Sequence, residues 1–172
     1  MKLENIPEGR TLNAMLEVGE IDAFMGPRVP SCFERGHPNV GWLFPDPMAA
    51  AKDYYRKTGI FPIMHIVGVR RSIVEQHPWL PAAVFKAFER AKHIAVERLG
   101  ETSSTKVTLP FVEEQVRAAR ELMGHDYWSY GVSPNREQLE YFLARHHRQG
   151  LSSRLVKVEE LFHPTTFETY KL

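Results

Sequence analysis

Ten consecutive residues constrain this chain more than any other feature. Phe61-Pro62-Ile63-Met64-His65-Ile66-Val67-Gly68-Val69-Arg70 places apolar side chains at odd and even positions alike. A strand turns successive side chains to opposite faces, so a run that is apolar on both belongs in a sheet covered on both sides. Such a sheet needs neighbouring strands. The sequence offers one other candidate, the short run Glu20-Ile21-Asp22-Ala23-Phe24-Met25, which breaks at Gly26-Pro27. Two strands do not make a stable doubly wound sheet. The expectation is therefore an α/β chain with an incomplete sheet, whose remaining strands lie outside this sequence or come from a partner.

The rest of the periodicity is helical. Leu12, Met15 and Leu16 recur at helix spacing behind Thr11, a natural cap, and Gly19 stops them. Pro30, Pro38 and Pro45, with Pro47 just beyond, make residues 28–46 an extended connection. Residues 49–57 read as a short helix closed by Gly59. Ser72 caps a short helix ending near His77, and Pro81 suits the first turn of the next. There Leu80, Val84, Phe88, Ala91, Ala95 and Leu99 form one apolar stripe, ended by Gly100. Polar residues 101–106 link it to a helix with Val112, Val116, Ala119 and Met123 on one face and Gly124 at its end. Ser133-Pro134 opens a last long helix with Leu139, Phe142 and Leu143 facing inward and Gly150 as its cap. Residues 155–162 form a short extended piece or a terminal helix.

Charge and cysteine content exclude several function classes. The 172 residues carry a formal net charge of +1, which attracts neither nucleic acid nor anionic lipid. Arg70-Arg71 and His146-His147-Arg148 are too short to track phosphates, so no nucleic-acid partner is expected. Cys32 is the only cysteine, which rules out a disulfide or a cysteine-based zinc site within one chain. Flanked by Ser31 and Phe33, with His37 nearby, it is either a nucleophile or a small, partly buried apolar side chain. The first eight residues lack the apolar run of a signal peptide, and no segment reaches the eighteen or so apolar residues needed to cross a bilayer. A cytoplasmic location without membrane insertion is the expectation.

Several phrases are similar to the 4,5-dihydroxyphthalate decarboxylase family. Thr11-Leu12 through Gly19-Glu20-Ile21-Asp22-Ala23 resembles the helix and strand that close the family's second lobe. Leu43-Phe44-Pro45-Asp46, Tyr54-Tyr55-Arg56-Lys57-Thr58-Gly59-Ile60-Phe61-Pro62-Ile63-Met64-His65 and His77-Pro78-Trp79 resemble the return into the first lobe. The likeness continues through Ala87-Phe88-Glu89-Arg90-Ala91-Lys92, Asp126-Tyr127-Trp128-Ser129-Tyr130-Gly131 and Gln149-Gly150-Leu151. It matches only the C-terminal part of the family. The resemblance implies an incomplete type II periplasmic-binding-protein fold, with residues 1–45 as the end of the second lobe and hinge. Residues 46–172 are then the C-terminal part of the first lobe with a helical extension. It also implies non-oxidative decarboxylation of 4,5-dihydroxyphthalate to protocatechuate, by this chain or by an enzyme of which it is a fragment. The same fold serves solute-binding proteins that capture small organic anions, and fold alone does not separate the two.

Decarboxylating a hydroxylated aromatic acid needs a cation for the spectator carboxylate, a group to handle a phenolic oxygen and an acid for the ring carbon. Arg28, just past the Met25-Gly26-Pro27 strand end, is the candidate carboxylate clamp, or else a surface arginine; Ser31 joins it as a substrate-binding position. His65 interrupts an apolar strand, where a polar ring needs a partner or a purpose, and is the candidate acid–base residue, or else a satisfied core histidine. Asp46 orients His65 or a ligand, or is a turn residue before Pro47. Trp128 and Tyr130 stack on the aromatic substrate, or are core. No cofactor is implied. A divalent metal, held for example by His65 with Asp46, is compatible with the sequence but carried by no motif, and adjacent His146 and His147 point about 100° apart on a helix. The expected partners are a small aromatic acid or other organic anion, together with a second copy of the chain or a separate N-terminal chain.

Overall fold

The computed structural model describes residues 4–104 and 107–167, so the last two residues of the expected 101–106 linker lie outside the described residues. The chain divides into two units, Met1–Asp53 and Tyr54–Leu172.

The first unit contains α1 (Leu12–Glu17), α2 (Ser31–Glu34) and the start of α3 (Pro47–Thr58). Thr11 caps α1 as its sequence position suggests, its hydroxyl accepting from the Ala14 amide at 3.2 Å. Helix α2 falls where an extended connection was expected. The Asn13 carboxamide oxygen accepts from the Cys32 amide at 3.0 Å and from the Ser31 hydroxyl at 3.2 Å. The Arg35 guanidinium grips both Glu17 oxygens, at 3.0 and 3.1 Å. These bonds join α2 to α1 and leave Cys32 fully buried, a packing residue rather than an accessible nucleophile.

The second unit holds the end of α3, α4 (Arg71–Gln76), α5 (Leu80–Leu99), α6 (Val112–Met123), α7 (Arg136–Arg148) and α8 (Val158–Leu161). Helix α5 packs against α6 and the 3-10 turn Pro164–Thr166, and α7 against α8 and the 3-10 turn Ser133–Asn135. The Val132 and Ser133 amides donate to the Thr166 and Phe167 carbonyls, at 3.3 and 2.9 Å, and tie the end of the unit to its middle. Ile60, Val116, Val132 and Val158 are its buried apolar side chains among the described residues.

Two expectations need correction. No β-strand forms among the described residues, so the α/β sheet is not built by them. Both expected strands, residues 20–25 and 61–70, lack a ladder, and every residue from 61 to 70 is exposed. A strand exists only by pairing, and an apolar pattern without a neighbour cannot supply one. The second correction concerns α5. Its buried side chains are Pro81, Glu89 and Lys92, whereas Phe88, Ala91 and Ala95 of the apolar stripe are exposed. Phe142 of α7, expected inside, is likewise exposed, while Leu139 and Leu143 are half-buried.

Candidate functional site

A buried polar arrangement in the second unit lies where α5 meets the loop between α6 and α7. Glu89 and Lys92 stand one helical turn apart on α5, and both side chains are only 5% exposed. Lys92 Nζ donates to Glu89 Oε1 at 2.7 Å and to Asp126 Oδ1 at 3.0 Å. It also lies 5.1 Å from the centre of the Tyr130 ring. Burial pushes the Lys92 ammonium down, but its hydrogen bonds to Glu89 and Asp126, with the two carboxylate charges, outweigh that and hold it above the ordinary lysine value. His93 Nε2 approaches Glu89 Oε1 at 3.4 Å from the solvent side. Glu89 Oε2 is buried without a hydrogen-bond partner.

The loop is fixed a second time at its far end. Buried Asn135 donates from Nδ2 to the Ser129 carbonyl at 3.1 Å and to the Gly131 carbonyl at 2.9 Å. Ser129 Oγ donates back to Asn135 Oδ1 at 3.1 Å. Between these anchors Trp128 rests against Phe61, ring centres 5.5 Å apart and planes inclined by 59°. The start of the 61–70 segment, the middle of α5 and the 126–131 loop thus converge, and all three carry the family likeness.

The residues singled out from the sequence are treated differently by the structure. Trp128 and Tyr130 share this loop, one on Phe61 and the other on Lys92. His65 is exposed and has no hydrogen-bond partner among the described residues. In the first unit Arg28 is exposed and Ser31 is bound to Asn13. Asp46 caps α3, its Oδ1 accepting from the Ala49 amide at 2.9 Å, which is the turn role the sequence also allowed. Glu89, Lys92, Asp126, Asn135 and Phe61 were not among the site residues expected from the sequence. A Glu and a Lys three apart on a helix ordinarily mark a solvated face, and only the packing of the loop reveals otherwise. Among the described residues no three His, Cys, Asp or Glu side chains gather as metal ligands.

No family model matches the chain. All 172 residues nevertheless align with the 4,5-dihydroxyphthalate decarboxylase of Comamonas testosteroni at 55% identity, covering 52% of that protein. The chain is a relative of 4,5-dihydroxyphthalate decarboxylase. A 4,5-dihydroxyphthalate decarboxylase of Pseudomonas putida is 57% identical over 54 residues, 31% of this chain and 21% of that protein. The chain spans about half the length of the Comamonas testosteroni decarboxylase, which fits a likeness to the C-terminal part alone. No helix among the described residues is long and apolar enough to cross a membrane.

Proposed function

We propose that this chain is the C-terminal part of a cytoplasmic 4,5-dihydroxyphthalate decarboxylase with the type II periplasmic-binding-protein fold, residues 1–45 belonging to its second lobe and 46–172 to its first. One observation carries the reading: 55% identity to a decarboxylase of that name along the whole of this chain. The reaction breaks the bond between a ring carbon and its carboxylate. Carbon dioxide leaves, the ring carbon takes up one proton, and protocatechuate keeps the other carboxylate and both hydroxyls. In this reading Arg28 clamps the spectator carboxylate with Ser31 as a further binding position, and His65 moves the proton, while Asp46 keeps the capping role it has on α3. Trp128 and Tyr130 offer faces to the substrate ring. The loop that bears them is held at both ends, by Lys92 and by Asn135, which favours a positioning role for it. The test is to supply the chain with the part of the Comamonas testosteroni enzyme outside its match and add 4,5-dihydroxyphthalate. Loss of the substrate's ultraviolet band with equimolar protocatechuate is the expected result. A folded assembly that leaves the substrate unchanged overturns the reading.

A further inference from the structure

We propose that α7 carries the face on which two copies of this chain pair, antiparallel about a two-fold axis, with Glu137 of each copy against Arg148 of the other.

The helix has two unlike sides. Leu139 and Leu143 are half-buried, and α7 packs against α8 and the Ser133–Asn135 turn. Glu137, Tyr141, Ala144 and Arg148 are exposed. At about 100° and 1.5 Å per residue, these four lie within roughly 60° of one another and form one stripe about 16 Å long. The steps from Glu137 to Tyr141 and from Ala144 to Arg148 are equal, so the spacing reads the same from either end. A second copy turned end over end therefore brings Arg148 level with Glu137, and Ala144 level with Tyr141.

Charge and shape both fit that pairing. The other Arg and Glu side chains of α7 are already engaged. Arg136 reaches Glu140 at 3.2 Å and Glu159 at 2.7 Å, and the Arg145 guanidinium lies 4.7 Å from the centre of the Tyr141 ring. Glu137 and Arg148 have no ion-pair partner among the described residues. In the antiparallel pair both are satisfied twice over, once at each end of the contact. A parallel pair would set Glu137 against Glu137 and Arg148 against Arg148. In the middle Tyr141, 43% exposed, meets the small Ala144, which lets the helices approach to the usual 8–10 Å or so and gives the ring a place to rest.

The same pattern selects the occupant. A partner of single charge suits one end of the stripe and is repelled by the other, whereas a second copy matches both ends. One helix pair is a small interface, so the dimer is weak, in the micromolar range, and loosens as salt screens its end contacts.

Sedimentation equilibrium on the full chain over a range of concentrations tests it. The expected result is a monomer–dimer equilibrium. Glu137→Arg creates two Arg–Arg contacts and Arg148→Glu two Glu–Glu contacts, so each alone should raise Kd at least about ten-fold. An equimolar mixture of the two variants regains both opposite-charge contacts and should dimerise to within about three-fold of the original chain, as should the double variant Glu137→Arg with Arg148→Glu. Both positions are exposed, and circular dichroism should show every variant with its helices intact. A chain that stays monomeric throughout overturns the proposal. So does a dimer indifferent to both single changes, which pairs through another face, or a mixture no tighter than its components. The stripe belongs to a different polypeptide, and the proposal fails, if these single changes instead break a complex with the part of the Comamonas testosteroni decarboxylase outside the match.

Discussion

Lys92 sits between two carboxylates in a chain that buries few side chains of any kind, and burial makes that arrangement fragile. Removing the ammonium leaves the Glu89 carboxylate buried with only the His93 ring at 3.4 Å beside it, so Lys92→Ala should lower unfolding free energy by about 3 kcal/mol. The double change Glu89→Gln with Lys92→Met, which removes both charges, should recover most of that in urea titrations. Because the folded Lys92 pKa is raised, its contribution is complete below the ordinary lysine value and fades as pH rises through the folded one. Glu160 behaves in the opposite sense. The Arg154 guanidinium and the Lys157 amide push its carboxyl down to about 2. Its contribution to the cap of α8 is therefore present above the ordinary value of 4.5 and is lost as pH falls through about 2. Side-chain carbon NMR should find that low midpoint, and Arg154→Gln should raise it. In the completed enzyme the proposed roles separate kinetically. His65→Ala should lower kcat by about 10²–10⁴-fold with KM little changed, whereas Arg28→Ala should mainly raise KM. A near-normal kcat in His65→Ala makes His65 a structural residue.

Elements formed where the chain's own residues suffice to define them. The expected helix over 49–57 forms over Pro47–Thr58 and the amphipathic one over Val112–Met123, and Gly59 and Gly124 end them at φ of 66° and 89°, a region glycine enters freely. Helix α6 carries one strained start. Phe111 precedes it at φ 62°, without a side-chain cap and largely exposed. Phe111→Gly should therefore stabilise the chain by about 0.5–1 kcal/mol in thermal unfolding, the relief of a left-handed residue less the entropy glycine adds to the unfolded state. What the sequence concealed is of another kind. The apolar stripe of α5 is plain in its spacing, but spacing does not say which partner covers it, and this chain's own loop takes the face one residue round, through Glu89 and Lys92. The 61–70 run is likewise plainly strand-like in composition and has no ladder among the described residues. Of the candidate site, Trp128 and Tyr130 were readable as aromatic faces. Their anchors were not, since Asp126 and Asn135 become significant only through long-range bonds.

For the whole molecule the thin core sets the response to denaturant. Among the described residues few apolar side chains are buried, so core substitutions should be felt strongly: Val132→Ala, at a side chain only 2% exposed, should lower the urea midpoint without changing the m-value. The exposed apolar run at residues 61–70 also bears on the life of the chain in a cell. Exposed apolar surface of this sort is what chaperones retain and proteases cut, so the chain's persistence in a cell is set by how seldom residues 61–70 are engaged rather than by the stability of its helices.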